Sequence, residues 1–75
     1  MVKILICGAG GFIGGHLASM FEKDKDIQLT CVDIKPKEFW FQIFDKNINH
    51  SLDLKDYNNA LKVTKDIDYI YNFAC

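Results

Sequence analysis

The stretch CGAGGFIGG, residues 7–15, decides the fold of this chain because it contains all five of its glycines. Its first residue, Cys7, is also the last residue of VKILIC, residues 2–7. This β-rich and almost continuous apolar run is typical of a strand buried on both faces of a parallel sheet. After the glycines, apolar residues recur on one stripe of a helix: Ile13, Leu17, Met20 and Phe21. We therefore expect a strand, a glycine turn and an amphipathic helix that ends within the charged residues 23–26.

The remainder of the chain continues this alternation. Strands are predicted at residues 27–33, 46–52 and 68–74, of which the second is polar enough to be an edge strand. Before the last strand, Asp53 is a candidate N-cap of a second helix. The apolar side of that helix would be formed by Leu54, Tyr57 and Leu61, with Ala60 beside them. This order predicts an α/β fold, the N-terminal half of a Rossmann doubly wound parallel sheet with strand order 3-2-1-4.

In this topology the predicted strand at residues 68–74 lies at one edge of the sheet and its outer side is uncovered. Folded proteins normally avoid an uncovered apolar edge. We therefore expect residues 1–75 to form one unit that is a fragment of a larger doubly wound domain.

The composition is that of an ordinary soluble domain, with 49% hydrophobic and 25% charged residues and a net charge of −1. This charge balance offers no basic surface for nucleic acid, and no apolar run reaches the roughly 18 residues of a membrane span. The chain has three cysteines, and this odd number argues against a disulfide framework. The sequence contains no C-x-x-C motif, which argues against a zinc site. We expect a cytoplasmic protein with reduced thiols that binds no nucleic acid, no membrane and no metal ion.

Three of the glycines have a spacing that suits phosphate binding. Gly8, Gly11 and Gly14 form the pattern G-x-x-G-x-x-G, whereas the pattern G-x-G-x-x-G is absent because Ile13 occupies its third glycine position. Glycines between a strand and a helix let a phosphate approach backbone N–H groups at the positive end of the helix, although they could also serve only a tight turn. In this interpretation the other two glycines, Gly10 and Gly15, are secondary.

An acidic residue stands where a bound dinucleotide would place its ribose. Asp33 ends the second predicted strand, 19 residues after Gly14. A carboxylate there can accept both ribose hydroxyls and would repel a 2′-phosphate, which favours NAD over NADP. Lys35 and Lys37 lie nearby in sequence and weaken this preference. The alternative is that Asp33 only caps the end of its strand.

Four separated pieces of sequence cover nearly the whole chain: GAGGFIG at 8–14, VDIK at 32–35, DLKD at 53–56 and YNFAC at 71–75. Together they resemble the extended short-chain dehydrogenase/reductase family, the nucleotide-sugar epimerases and dehydratases, and the tail at 61–75 is most similar to GDP-mannose 3,5-epimerase-type members. The resemblance implies that NAD is held by Gly8, Gly11, Phe12, Ile13, Gly14, Asp33, Asp53, Leu54 and Ala74. For the full-length parent it implies a nucleotide-sugar substrate and a homodimer.

The resemblance also implies which part of the cofactor each of these pieces would bind. Asp33 would bind the adenosine ribose, and the acid–leucine pair at residues 53–54 would lie along the adenine. The backbone of Ala74 would approach the cofactor. Two positions depart from the family pattern, since Cys7 stands where Thr or Gly is usual and Cys75 where Ala is usual. Both side chains are small enough to leave the cofactor site open.

The chemistry of the family uses a Tyr-x-x-x-Lys pair as acid and base. In this chain Tyr57, Tyr69 and Tyr71 are not followed by lysine four positions later. We therefore assign no catalytic residue and expect the chain to be the cofactor-binding portion of an epimerase or dehydratase, without its catalytic and substrate-binding parts. A non-catalytic dinucleotide-binding module and an inactive truncated fragment are the alternatives.

The remaining chemistry-bearing residues are expected to have structural roles. The aromatic cluster at residues 39–44 is predicted to cover the sheet between the second and third strands, with adenine stacking or a protein contact as alternatives. His16 is expected at the surface, and His50 has no partner at metal-ligand spacing. Cys7 is expected to be a small buried residue rather than a nucleophile.

Overall fold

Four parallel strands form one sheet in the computed structural model, which describes residues 1–74. The strands are β1 (Val2–Cys7), β2 (Ile27–Asp33), β3 (Ile48–Ser51) and β4 (Tyr69–Asn72). Their order across the sheet is β3-β2-β1-β4, so the predicted α/β fold and the strand order 3-2-1-4 are confirmed. The two central strands pair from Val2 opposite Ile27 to Cys7 opposite Val32, which brings their carboxyl ends to the same edge of the sheet.

Helical segments connect the strands. They are α1 (Phe12–Phe21), a 3-10 turn (Lys37–Phe39) and α2 (Tyr57–Thr64). The predicted bounds of β1 and β2 match the structure, whereas β3 and β4 are shorter than predicted. Helix α1 ends at Phe21, before the charged residues 23–26, and the Asp24 N–H donates to the Phe21 carbonyl oxygen in the turn that follows. No helix within residues 1–74 is long and apolar enough to cross a membrane.

Two hydrophobic clusters cover the two faces of β1, because successive side chains of a strand point to opposite faces of the sheet. One cluster consists of Ile4, Ile6, Ala9, Ala18, Leu29, Cys31 and Trp40. The other consists of Leu5, Cys7, Val32 and Val63. Helix α1 contributes Ala18 to the first cluster and α2 contributes Val63 to the second, so the helices cover opposite faces of the sheet.

The predicted buried stripe of α1 is wrong in part. Ile13 is 65% exposed and Met20 is 71% exposed, whereas the buried residues of the helix are Gly14, Gly15 and Ala18. The other two members of the predicted stripe, Leu17 and Phe21, are partly buried against the core. Small residues face the sheet because the helix approaches the glycine loop closely: a Cβ atom on Gly14 would overlap the Gly8 carbonyl oxygen.

The predicted start and apolar side of the second helix are also wrong. Helix α2 begins at Tyr57 and is capped by Asp56, whose carboxylate accepts hydrogen bonds from backbone N–H groups inside the helix, instead of by Asp53. The face of the helix that meets the sheet is also a different one. Val63 is its buried residue, whereas Tyr57 and Leu61 are exposed.

The aromatic cluster covers a different part of the sheet from the one predicted. Trp40 is 8% exposed and packs with β1 and β2 on the α1 side, while Phe39 and Phe41 are more than half exposed. Phe41 instead contacts Phe12 at the start of α1, with ring centroids 4.8 Å apart. The cluster therefore joins the glycine loop and α1 to the sheet, and its Phe44 carbonyl oxygen accepts a hydrogen bond from the Asn49 side chain of β3 at 2.9 Å.

Strand β4 forms the other edge of the sheet, next to β1. Its side chains are exposed, including 60% of Tyr69 and 52% of Ile70. An uncovered edge was expected here, and the inference that the chain is a fragment stays a prediction.

Candidate functional site

A cavity of about 530 Å³ lies at the carboxyl ends of the strands, where open α/β sheets bind their ligands. Six of the predicted cofactor residues line it: Gly8, Gly11, Asp33, Asp53, Leu54 and Ala74. Phe12, Ile13 and Gly14 do not line it, but they directly follow Gly11 in the first turn of α1. The topology thus brings residues from four separate parts of the chain to one cavity.

The glycine loop owes its path to Gly8 and Gly14. Gly8 has a φ of 82°, and a Cβ atom there would lie 2.8 Å from the Ala74 nitrogen. A Cβ atom on Gly14 would overlap the Gly8 carbonyl oxygen, so neither position accepts a side chain without movement of the backbone. These two glycines let β1, α1 and the segment after β4 meet at one point.

Gly11 has a different role, because nothing in the fold requires a glycine there. Its φ of −84° is open to any residue, and an added Cβ atom would have only an ordinary contact, 3.5 Å from the Gly8 carbonyl oxygen. Gly11 lines the cavity, so a side chain at this position would take space from a ligand.

The N-terminus of α1 is open toward ligands. Gly11 is its N-cap and provides no side-chain hydrogen bond, and the first turn contains no acidic residue. Within residues 1–74, no acceptor bonds to the backbone N–H groups of Phe12, Ile13 or Gly14. Unpaired N–H groups together with the positive end of the helix dipole form a site that favours an anion.

Asp33 faces the cavity from the end of β2 and also braces the loops around it. Its Oδ2 accepts a hydrogen bond from the Gly10 N–H at 2.9 Å, and its Oδ1 accepts one from the Lys35 N–H at 3.0 Å. Each carboxylate oxygen has two acceptor sites, so both retain capacity for a further donor such as a ribose hydroxyl. The alternative, that Asp33 only caps the end of its strand, is therefore not required by these hydrogen bonds, because they leave room for a ligand-binding role.

Gly10 is more important to the local structure than its sequence pattern indicated. A Cβ atom on Gly10 would lie 2.8 Å from Cδ1 of Trp40 and 2.9 Å from Oδ2 of Asp33. The interpretation of Gly10 as secondary to phosphate binding stays a prediction, but the contact between the loop, the indole ring and the carboxylate leaves no room for a side chain at this position. The partial match of Gly8 and Gly10 to G-x-G-x-x-G was the available signal.

The far side of the cavity is formed by the connection from β3 to α2. Asp53 Oδ1 accepts a hydrogen bond from the Lys55 N–H at 2.9 Å, so this carboxylate closes a turn of its own. Leu54 is partly buried against the cluster on the α2 face. Lys35, which the sequence placed near the ribose site, also lines the cavity. Sequence reasoning assigned no role to several other lining residues: Val32, Ile34, Leu52, Lys55 and Phe73.

The segment after β4 approaches the glycine loop through its backbone. The Phe73 N–H donates to the Cys7 carbonyl oxygen, and the Ala74 N–H donates to Oδ1 of Asn72. Ala74 lines the cavity, and its predicted approach to a cofactor stays a prediction. Cys75, the other position at which the sequence departs from the family pattern, lies outside the described residues.

Cys7 and Cys31 are buried thiols, and the described part of the chain holds no cluster of metal-ligating side chains. Burial raises the pKa of the Cys7 thiol and raises that of Cys31 to about 12, so both thiols stay protonated near neutral pH. No group of three potential metal-ligating side chains occurs within residues 1–74. His16 is exposed and contacts the Phe12 ring, with centroids 4.5 Å apart.

Comparisons with known proteins agree with this geometry. The family model described as "NAD dependent epimerase/dehydratase family" matches residues 4–75. GDP-mannose 3,5-epimerase 1 from Oryza sativa subsp. indica is 36% identical over 73 residues, which are 97% of this chain and 19% of that protein. The chain therefore spans about a fifth of the length of the curated relatives that it matches.

Two solved structures are similar over almost all of the chain. UDP-glucuronic acid 4-epimerase from Bacillus cereus, in complex with NAD, matches with a TM-score of 0.83 and 26% identity over 99% of this chain and 27% of that one. dTDP-glucose 4,6-dehydratase from Bacillus anthracis, also in complex with NAD, matches with a TM-score of 0.75 over 100% of this chain and 27% of that one. At 19% identity, the second likeness supports the fold alone.

Proposed function

The chain belongs to the NAD-dependent epimerase/dehydratase family, and we propose that it binds NAD in the cavity at the carboxyl ends of its strands. The open N-terminus of α1 is the observation that carries this proposal. The unpaired N–H groups of Phe12 and Ile13 follow Gly11, whose missing side chain leaves space in the cavity. A pyrophosphate supplies the negative charge and the acceptor oxygens that such a helix end lacks.

The remaining residues of the cavity fit the other parts of a dinucleotide. Asp33 would accept the adenosine ribose hydroxyls, while Asp53 and Leu54 would lie along the adenine and the backbone of Ala74 would approach the cofactor. The cavity volume of 530 Å³ lies within the range of cofactor pockets, about 300–1,000 Å³. NAD, when bound, supplies a hydride acceptor, and the residues named here bind and orient it.

The preference for NAD over NADP rests on charge. The Asp33 carboxylate lines the cavity, and a 2′-phosphate at this position would meet a like charge. Lys35 lines the same cavity and offsets part of this repulsion. We expect NAD to bind more tightly than NADP, with the difference reduced by Lys35.

The activity of the longer protein is part of the same proposal. The relatives named above act on nucleotide sugars, which supports an epimerase or dehydratase of that substrate class. That the longer protein works as a cytoplasmic homodimer is a further part of the proposal, and it rests on the family resemblance alone. Tyr57, Tyr69 and Tyr71 lack a lysine four positions later, so no residue of this chain is proposed as catalytic. The second candidate is a non-catalytic dinucleotide-binding module, whose full-length protein would lack a Tyr-x-x-x-Lys pair. Turnover of a nucleotide sugar by the full-length protein distinguishes the two.

Calorimetric titration of the folded 75-residue chain with NAD tests the binding proposal, with Gly11→Val as the decisive variant. Its side chain would enter the cavity, so we expect NAD binding to weaken at least about tenfold, while the free energy of unfolding changes by about 1 kcal/mol or less. Gly15→Ala is the matched control because a Cβ atom there has only ordinary contacts, at 3.6 Å or more, and it should bind NAD like the wild type. A folded wild-type chain without NAD binding would refute the proposal, as would a Gly11→Val variant with unchanged affinity.

A further inference from the structure

Trp40 is the buried member of the aromatic cluster and lies directly over the glycine loop. Its side chain is 8% exposed, and the space where Gly10 would carry a Cβ atom is filled by the indole ring. The backbone of the next residue secures the same contact, since the Phe41 N–H donates to the Gly10 carbonyl oxygen at 2.9 Å. The loop is therefore held against the segment that contains Trp40 by both packing and a hydrogen bond.

The polar end of the indole ring reaches a second segment. Nε1 of Trp40 donates to the Lys35 carbonyl oxygen at 2.9 Å, and the Ser51 hydroxyl donates to the same oxygen. A buried indole N–H needs such an acceptor, so this bond fixes the turn after β2 relative to the ring. Trp40 thus contacts both Gly10 and the turn at Lys35.

These two contact points are the two segments that donate to the Asp33 carboxylate. Gly10 N–H bonds to Oδ2 and Lys35 N–H bonds to Oδ1, so the carboxylate plane is set by the relative position of the two donors. Trp40 itself does not line the cavity. It can influence a ligand only by the way in which it holds these neighbours.

We propose that Trp40 is a positioning residue that orients the Asp33 carboxylate toward the hydroxyls of a bound adenosine ribose and so strengthens the preference for NAD over NADP. This inference rests on the proposed function and deepens it. NAD can donate both adenosine ribose hydroxyls to the carboxylate, whereas NADP, whose 2′ oxygen carries a phosphate, can donate only its 3′-hydroxyl, so NADP gains less from the orientation of the carboxylate. Loss of the indole N–H should therefore weaken NAD binding more than NADP binding.

The test compares the dissociation constants of NAD and NADP for the 75-residue chain and for Trp40→Phe, which keeps an aromatic ring but has no N–H. We expect the ratio of the NADP constant to the NAD constant to fall about fivefold, the value of one hydrogen bond. Leu29→Ala is the matched control, because Leu29 belongs to the same buried cluster but does not line the cavity. It should reduce stability and leave the ratio unchanged.

The outcomes separate this inference from the proposed function. A folded wild-type chain that binds no NAD refutes the proposed function itself. A wild-type chain that binds NAD, together with a Trp40→Phe variant whose ratio is unchanged or shifts only as much as in Leu29→Ala, overturns the role of Trp40.

A measurement on the wild type covers the case in which the variant does not fold. Trp40 is the only tryptophan, so its Nε1–H proton is a single resolved NMR signal. Saturation with NAD should shift this signal and slow its exchange with solvent, and the effect should shrink in Asp33→Asn. An Nε1–H signal that does not respond to NAD overturns the inference.

Discussion

Two helices begin beside the same cavity, and their N-termini are built in opposite ways. At the open junction, residues 8–14, α1 starts at a glycine that provides no side-chain cap. At the closed junction, residues 53–59, Asp56 Oδ1 accepts hydrogen bonds from Asn58 N–H at 2.9 Å and Asn59 N–H at 3.3 Å. At the N-terminus of α2, backbone N–H groups are therefore bonded by a side chain of the same chain. At the N-terminus of α1, the backbone N–H groups stay free to donate to a ligand.

The difference shows how a fold separates stability from binding. A carboxylate at an N-cap satisfies the free N–H groups and also complements the helix dipole, which stabilises the helix but consumes the anion site. The open junction gives up that stabilisation and depends on close backbone packing, which requires glycine at Gly8 and Gly14. Substitutions at the two junctions should therefore have different effects on folding and on NAD binding.

The largest expected effect comes from one added carbon atom at the open junction. Gly8→Ala would place a Cβ atom 2.8 Å from the Ala74 nitrogen on a residue with a φ of 82°. Strained backbone and steric overlap each cost roughly 1–3 kcal/mol, so we expect the free energy of unfolding to fall by about 2–5 kcal/mol. Urea denaturation followed by circular dichroism measures this loss.

The control for Gly8→Ala is Gly15→Ala, which adds the same atom inside α1 without overlap. Because alanine favours a helix over glycine by about 0.5–1 kcal/mol, the control should equal or exceed the wild type in stability. Equal stabilities for the two variants would contradict the requirement for glycine at the loop.

The next prediction concerns NAD binding, and its substitution converts the open junction into a closed one. Gly11→Asp introduces a candidate N-cap carboxylate, which should change stability by only a few tenths of a kcal/mol relative to glycine. A carboxylate beside the pyrophosphate repels it, and about 4 kcal/mol per close charge pair at a protein surface predicts a loss of NAD affinity of about 100-fold or more. Calorimetry of the folded variant measures this loss.

Gly11→Asn separates charge from bulk in that experiment, because it has nearly the same shape and no charge. We expect its NAD affinity to lie between those of the wild type and Gly11→Asp. If the aspartate and asparagine variants bound NAD equally well, repulsion of an anion at this helix end would be excluded.

A smaller effect is expected at the closed junction. Asp56→Ala removes both capping hydrogen bonds and should lower the free energy of unfolding by about 1 kcal/mol. Asp56 does not line the cavity, so NAD affinity should stay within a factor of about two. Asp56→Asn, which retains a capping oxygen, should restore most of the stability. A cap variant that lost NAD binding while it stayed folded would show that the two junctions are coupled.

The open junction was largely predictable from sequence, because its signals are local. An apolar run that ends in glycines set the bounds of β1, and the parallel order of the strands brought Asp33 to the same edge. The closed junction was not, because DLKD at residues 53–56 contains two possible caps. Asp53 closes its own turn with the Lys55 N–H, which leaves Asp56 as the cap.

The buried faces of the helices depend on long-range packing that a hydrophobic pattern does not contain. In α1, Gly14 and Ala18 allow close approach to the loop, so Ile13 and Met20 lie outside although they are more hydrophobic. A hydrophobic pattern identifies large apolar residues. It does not show how closely a helix can approach the rest of the fold where its residues are small.

The contact between Gly10 and Trp40 joins positions far apart in the chain. No local sequence pattern predicts this contact, because it depends on how the segment after β2 folds back over the glycine loop. The packing of Gly10 against Trp40 could be recognised only from the structure, although the partial match to G-x-G-x-x-G already marked Gly10 as a position to examine.

The smallest expected effect is a pH dependence of the unfolding free energy that comes from His50. Burial lowers the pKa of His50 in β3 below its ordinary value of 6.5, and the positive charges of Lys62 and Lys37 lower it further. The unfolded chain therefore binds the proton more readily than the folded chain, so His50 reduces stability as the pH falls below about 6.5 and has no such effect above it. His50→Gln should remove this part of the acid destabilisation between about pH 5 and about pH 7. Lys62→Gln, which removes one of the two charges, should weaken it. If His50→Gln left the pH dependence of the unfolding free energy unchanged, His50 would not titrate differently in the folded chain, and burial beside Lys62 and Lys37 would carry no electrostatic cost.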